Sequence, residues 1–171
     1  MKRIVFGLNP KDIDRAINEL KSFKREFLNK VDIYRKRIAE EIAVQASLNF
    51  NSSVVDDTVK NGTRKADVTV SVNERGSISV VVADGEDAVW CEFGAGVYHN
   101  GSVGSSPNPY GSELGLTIGS YGKGFGKQQA WGYYKDGELI ITRGTPASMP
   151  MYNAVQAVTS KAITIAREVF G

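Results

Sequence analysis

Asp67-Val68-Thr69-Val70-Ser71-Val72-Asn73-Glu74-Arg75-Gly76-Ser77-Ile78-Ser79-Val80-Val81-Val82 decides the fold class. Val68, Val70 and Val72 alternate with Asp67, Thr69 and Ser71, and Ile78, Val80 and Val82 alternate again after a turn at Asn73-Glu74-Arg75-Gly76. Side chains on a strand point to opposite faces in turn, so this pattern predicts a β-hairpin with one face buried. A second hairpin is predicted downstream. Trp131-Gly132-Tyr133-Tyr134 and Glu138-Leu139-Ile140-Ile141-Thr142 flank Lys135-Asp136-Gly137, and Asp-Gly between such runs is a strong hairpin signal.

Helical patterns lie on either side. Asn9 can cap and Pro10 fits the first helical position, with Asp12 in the first turn where a negative charge suits the helix dipole. Ile13, Ile17, Leu20, Phe27, Val31, Tyr34 and Ile38 then recur in steps of three and four, with Lys24 the only break. Leu28-Asn29-Lys30 is a plausible interruption, after which a second helix would run to about Phe50 through Ile42 and Ala46. At the other end Met151, Val155, Val158, Ala162, Ile165 and Val169 predict an amphipathic helix that stops near Gly171. The expected architecture is a single α+β domain over residues 1–171. It has an N-terminal helix or helix pair, an antiparallel sheet of about four strands from two hairpins, and a C-terminal helix packed on that sheet.

Composition bounds the function. With 171 residues, 42% hydrophobic and 23% charged, the chain can bury one sizeable core. Net charge is +2; residues 1–50 hold 11 Lys+Arg and 7 Asp+Glu, and the rest hold 10 and 12. A solvated helix face accounts for that asymmetry more simply than a nucleic-acid patch. A lone cysteine, Cys91, excludes an internal disulfide, and with a single histidine, His99, the usual zinc ligand sets cannot be assembled. No stretch approaches the apolar length needed to span a bilayer, and the apolar run after Met1-Lys2-Arg3 is too short for a signal peptide.

Residues 94–130 read as a long projecting loop. Of 18 glycines, 13 fall between Gly94 and Gly144, and from Ala88 to Tyr134 the only charges are Glu92, Glu113, Lys123 and Lys127. Tyr98, Tyr110, Tyr121, Phe125 and Trp131 are candidate anchors of a loop that orders against a protein partner. Gly119–Lys127 lacks the spacing and the Ser or Thr of a phosphate loop. His99 has no evident orienting acid, and Cys91, beside Trp90 and Phe93, reads as buried and inert. In a strand Glu92 would share a face with Trp90, either partly buried and paired, at a subunit contact, or exposed at a strand end.

Two blocks punctuate the second half: Ala88-Val89-Trp90-Cys91-Glu92-Phe93-Gly94-Ala95-Gly96 and Thr145-Pro146-Ala147-Ser148-Met149-Pro150-Met151-Tyr152-Asn153-Ala154. Together they resemble the phage head–tail joining and tail-completion proteins related to gene product ten of HK-type phages. That family reads loosely as Glu-Phe-Gly-Thr, a variable Gly-rich insertion, then a Pro-Ala-x-Pro motif opening the last helix. Ala95 departs from it where Thr is usual, and Met149 and Met151 flank Pro150 where an aromatic is usual. The resemblance covers residues 34–169 as architecture. It implies structural or interface roles for Glu92, Phe93, Gly94, Pro146, Pro150, Met151 and Ala154, no catalytic residue and no cofactor. It also implies a ring, hexameric or dodecameric, in the virion neck after assembly in the host cytoplasm. The ring would contact a head-side adaptor or portal and a tail-side terminator or tube, with phage DNA passing through its lumen and no membrane partner. Two other readings stand beside it: a nucleic-acid-binding module using the basic N-terminal helices, and a hydrolase using Glu92 or His99.

Overall fold

The computed structural model describes residues 7–58, 62–95, 108–111, 113–114 and 130–171. The chain is α+β. Its first element is a single helix, α1, spanning Pro10–Ser52. At 1.5 Å per residue it is about 65 Å long. The predicted start holds: the Asn9 side chain accepts from the Asp12 backbone N–H at 2.9 Å, and Pro10 opens the first turn. The expected break at Leu28-Asn29-Lys30 is absent. Asn inside a helix costs only about 0.7 kcal/mol, and the rings of Phe27 and Tyr34, either side of the segment, both rest on Phe170.

After α1 comes a hairpin of β1 (Val54–Thr58) and β2 (Gly62–Lys65). The next hairpin joins β3 (Thr69–Arg75) to β4 (Ile78–Asp84). Its turn falls at Gly76-Ser77, later than expected, because Arg75 pairs with Ile78. Register then decides orientation. Val70 and Val72 pair with Ala83 and Val81, so these four share one face, and Ile78, Val80 and Val82 share the other. The second apolar set does not join the first: Ile78 is 60% exposed.

The Ala88–Phe93 block, analysed above as a strand, is a short helix, α2. A brief apolar run cannot be assigned by periodicity alone. Strands β5 (Trp131–Lys135) and β6 (Glu138–Thr142) form the predicted hairpin. Asp136 and Gly137 both take positive φ, 52° and 83°, as a two-residue turn of the mirror-image kind requires. Helix α3 spans Pro150–Phe170.

Among the described residues the three hairpins remain three two-stranded sheets, and the expected single sheet of about four strands is not formed there. Hairpin β3–β4 lies on α1, whereas β6 lies beside β1. Asp56 of β1 accepts from the Thr142 hydroxyl at 2.6 Å and the Arg143 N–H at 2.5 Å. The C-terminal helix packs mainly along α1 rather than on a sheet. The two helices are antiparallel: Asn49 donates to the Pro150 carbonyl at 2.9 Å, the Tyr34 hydroxyl to the Ala162 carbonyl at 3.4 Å, and Arg37 meets Glu168 at 2.7 Å. Arg35 ties α1 to β3–β4 through Glu74 at 2.6 Å and through the Ser79 hydroxyl. The core sits where α1 ends, with Phe50, Val55, Ala88 and Cys91 buried and Val68, Val70, Ala83 and Met151 packed around them. Among the described residues no helix is long and apolar enough to cross a membrane.

Candidate functional site

Helix α3 begins with a problem. Pro150 has no N–H, and the capping position is Met149, in the left-handed region at φ 51°, with no side-chain hydrogen bond to offer. The first free N–H groups of a helix need acceptors. They find one across the chain: Glu92 Oε2 accepts from the Met151 N–H at 2.8 Å, and Oε1 from the Tyr152 N–H at 3.0 Å. The Asn108 amide donates a third hydrogen bond to Oε1 at 2.7 Å. Glu92 thus caps α3 from α2, and a negative charge at a helix N-terminus is favoured by the helix dipole.

The backbone around this cap closes the same junction. Ala95 and Thr145 exchange N–H to carbonyl hydrogen bonds at 2.8 and 2.9 Å, and the Cys91 carbonyl accepts from the N–H groups of Ser148 and Met149 at 2.8 and 3.1 Å. The Ser148 hydroxyl lies 2.8 Å from that of Ser53, which ends α1. Gly94 is required here twice over. Its φ of +81° with ψ of 160° is a region open essentially to glycine, and a Cβ would stand 3.2 Å from the Ala147 Cβ and 3.3 Å from its backbone nitrogen.

The residues singled out from sequence therefore divide. Glu92, Gly94, Pro150, Met151 and Ala154 meet in one junction, with Pro150 and Ala154 buried and Glu92 8% exposed. Phe93 is half-buried beside it, and Pro146 is exposed. Tyr110 comes to the same place: its ring lies 6.1 Å from that of Tyr152, edge to face, and its N–H donates to the Asn108 side chain at 3.0 Å. Tyr98, His99, Tyr121 and Phe125 lie outside the described residues, as does the side chain of Trp131.

Electrostatics at the junction are those of a sealed scaffold. Burial pushes the Glu92 carboxyl above its ordinary value, against the pull of the Met151 and Tyr152 N–H groups and Asn108. Burial, with the Asp87 charge behind it, pushes the Cys91 thiol up to about 11, so the group is a protonated, inert thiol at neutral pH. Next to α2, burial also acts on Asp87, but there the paired hydrogen bonds from Arg64, at 2.6 and 3.0 Å, and the Asp67 N–H at 2.8 Å win and hold the carboxyl below its usual value. Sequence reasoning missed Asp87, Arg64, Asn108 and Asp56. Each acts on a residue distant in the chain, and no spacing rule announces such pairs. The position of Asp87 directly before the Ala88 block was the one available hint, since Asp commonly precedes a helix.

Among the described residues no group of three or more His, Cys, Asp or Glu side chains could hold a metal ion. A groove of about 470 Å³ lies between Arg64, Trp90, Tyr133 and Thr142, where β2, α2 and the β5–β6 hairpin meet. No family model, no curated protein and no solved structure matches the chain.

Proposed function

We propose that this chain is a structural protein of a tailed-phage virion, of the neck or tail-completion class, whose copies form a ring at the head–tail junction. The observation that carries the reading is the cap of α3 by Glu92. It joins the two sequence blocks on which the resemblance rests into one buried junction, with Gly94 and Ala147 in close approach. In this reading the conspicuous residues of both blocks build the scaffold, and the work is done by surfaces.

Those surfaces are apolar and open. On β5–β6, Gly132, Tyr134, Leu139 and Ile141 share one face by register, and the last three are 76%, 54% and 45% exposed. Isolated two-stranded hairpins are marginal in water, and neighbours in a ring would cover such faces. Ring closure joins one patch to a different patch on the next copy. The adjoining partners would be a head-side adaptor or portal and a tail-side terminator or tube, with DNA passing through the lumen. The test has two arms: the native mass of the purified chain at high concentration, and its localisation by imaging in intact particles. A ring, or density for the chain at the neck, is expected. A strictly monomeric chain that is also absent from mature particles would end the reading.

A further inference from the structure

Among the described residues, α1 extends beyond the stretch that lies against α3. Phe170, at the end of α3, places its ring 5.8 Å from Phe27 and 6.0 Å from Tyr34, and the Lys30 ammonium reaches the Phe170 carbonyl at 3.3 Å. The next residue, Gly171, closes α3. Residues 10–26 of α1 continue past this point for about 25 Å. The seam that carries Phe27 and Tyr34 continues with them. Ile13, Ile17, Leu20, Lys24, Phe27, Val31, Tyr34 and Ile38 alternate steps of four and three, a repeat of seven without a slip. That repeat is the signature of a coiled-coil seam, with Ile13, Leu20, Phe27 and Tyr34 at one core position and Ile17, Lys24, Val31 and Ile38 at the other. On the overhanging arm Ile13, Ile17 and Leu20 remain 39%, 43% and 56% exposed.

We propose that this arm pairs with the same arm of a second copy, antiparallel, about a two-fold axis between Asn18 and Glu19. Charge selects this arrangement. With the axis there, Ile17 of one chain faces Leu20 of the other, and Ile13 faces Lys24, whose long stem packs while its ammonium reaches solvent. Asp14 and Lys21 occupy the same flanking position of the repeat, so antiparallel pairing sets Asp14 of each chain beside Lys21 of the other, twice by symmetry. A parallel pair would stack Lys24 on Lys24 inside the seam and leave Asp14 and Lys21 apart. The fit with the intramolecular packing is a second argument. In this register Pro10 of the second copy arrives opposite Phe27, the place where α3 ends. One seam is then lined by the chain's own α3 at Phe27 and Tyr34 and by the second copy before them. The N-terminus of the incoming helix also follows the C-terminus of α3, so their dipoles run head to tail.

The contact is isologous, whereas a ring contact is heterologous, so the two use different surfaces and stand or fall separately. Sedimentation velocity of the full chain over a concentration series tests it. The wild type should show a reversible dimer, and Leu20→Asp should abolish it with helicity by circular dichroism unchanged. Should Leu20→Asp lose helicity, the charge pair decides. Lys21→Glu should weaken the dimer about tenfold, since two attractive pairs become repulsive, and adding Asp14→Lys should restore it. A wild type that sediments as a monomer at every concentration overturns the proposal. So does a Lys21→Glu defect that Asp14→Lys leaves unrepaired. Rings that persist without arm pairing would leave the neck reading in place, and arm pairs without rings would do the reverse.

Discussion

Glu92 and Asp87 are both carboxylates sunk beside α2, and they should answer acid in opposite senses. Burial holds the folded value of Glu92 above its ordinary 4.5. Its contribution is therefore fully present below that value and declines as pH rises through the folded one. The Arg64 pair and the Asp67 N–H hold Asp87 below its ordinary 3.8, so its contribution is present above that value and is lost as pH falls through the folded one. Urea unfolding of the wild type, Glu92→Gln and Asp87→Asn over about pH 3 to 7 reads both. The gap between wild type and Glu92→Gln should narrow as pH rises, and the gap to Asp87→Asn should narrow as pH falls. Parallel trends would show that one of the two carboxylates is wrongly placed in this account. At neutral pH Glu92→Ala should cost about 2 kcal/mol, because it strips the cap from α3 and strands two backbone donors. The role of Glu92 was half legible in the sequence. Its apolar neighbours marked it as a carboxylate that needs a partner, but a strand reading put it beside Trp90, and the partner, the start of α3, lies some sixty residues away.

Elements with strong local signals were readable, and those decided by distant contacts were not. Asn9-Pro10, Asp136-Gly137 and the steps of α3 act through neighbours in the chain, and each stands where the sequence placed it. The short β1–β2 hairpin carries Asp56-Asp57-Thr58 and gave no alternation to detect, and it is held from outside through Asp56 and Thr142. The face of β4 failed for a subtler reason: one residue of turn position inverts every side chain on the strand. The unbroken course of α1 is the element with the sharpest test. Proline inside a helix removes a hydrogen bond and clashes with the preceding turn, at about 3 kcal/mol. Asn29→Pro should therefore lower the melting temperature clearly and separate Phe27 from its place against Phe170. A melting temperature equal to wild type would mean that the chain already breaks at Leu28-Asn29-Lys30.

At the scale of the whole molecule, the described chain keeps a small core and a large open apolar surface. The buried cluster lies at one end, around Phe50 and Cys91. Outside it stand Ile78 on β4, Tyr134 and Leu139 on the β5–β6 hairpin, and Ile13, Ile17 and Leu20 on the arm of α1, all exposed. Single exposed apolar residues are ordinary, but several sharing one sheet face mark a contact. On β5–β6 the register gathers Tyr134, Leu139 and Ile141 on one side of Gly132, where no large side chain intervenes. A charge placed there separates folding from assembly. Ile141 is 45% exposed, so Ile141→Lys should leave monomer stability within about 0.5 kcal/mol of wild type, as surface changes do. If neighbours cover this face, the same change buries a lysine without a partner in every contact of a ring, a cost multiplied by the copy number. Large assemblies should then vanish in native mass measurements while the melting temperature holds. Leu20→Asp, on the arm, should leave those assemblies intact. If Ile141→Lys still assembled like wild type, this face would be excluded from the contact between ring neighbours.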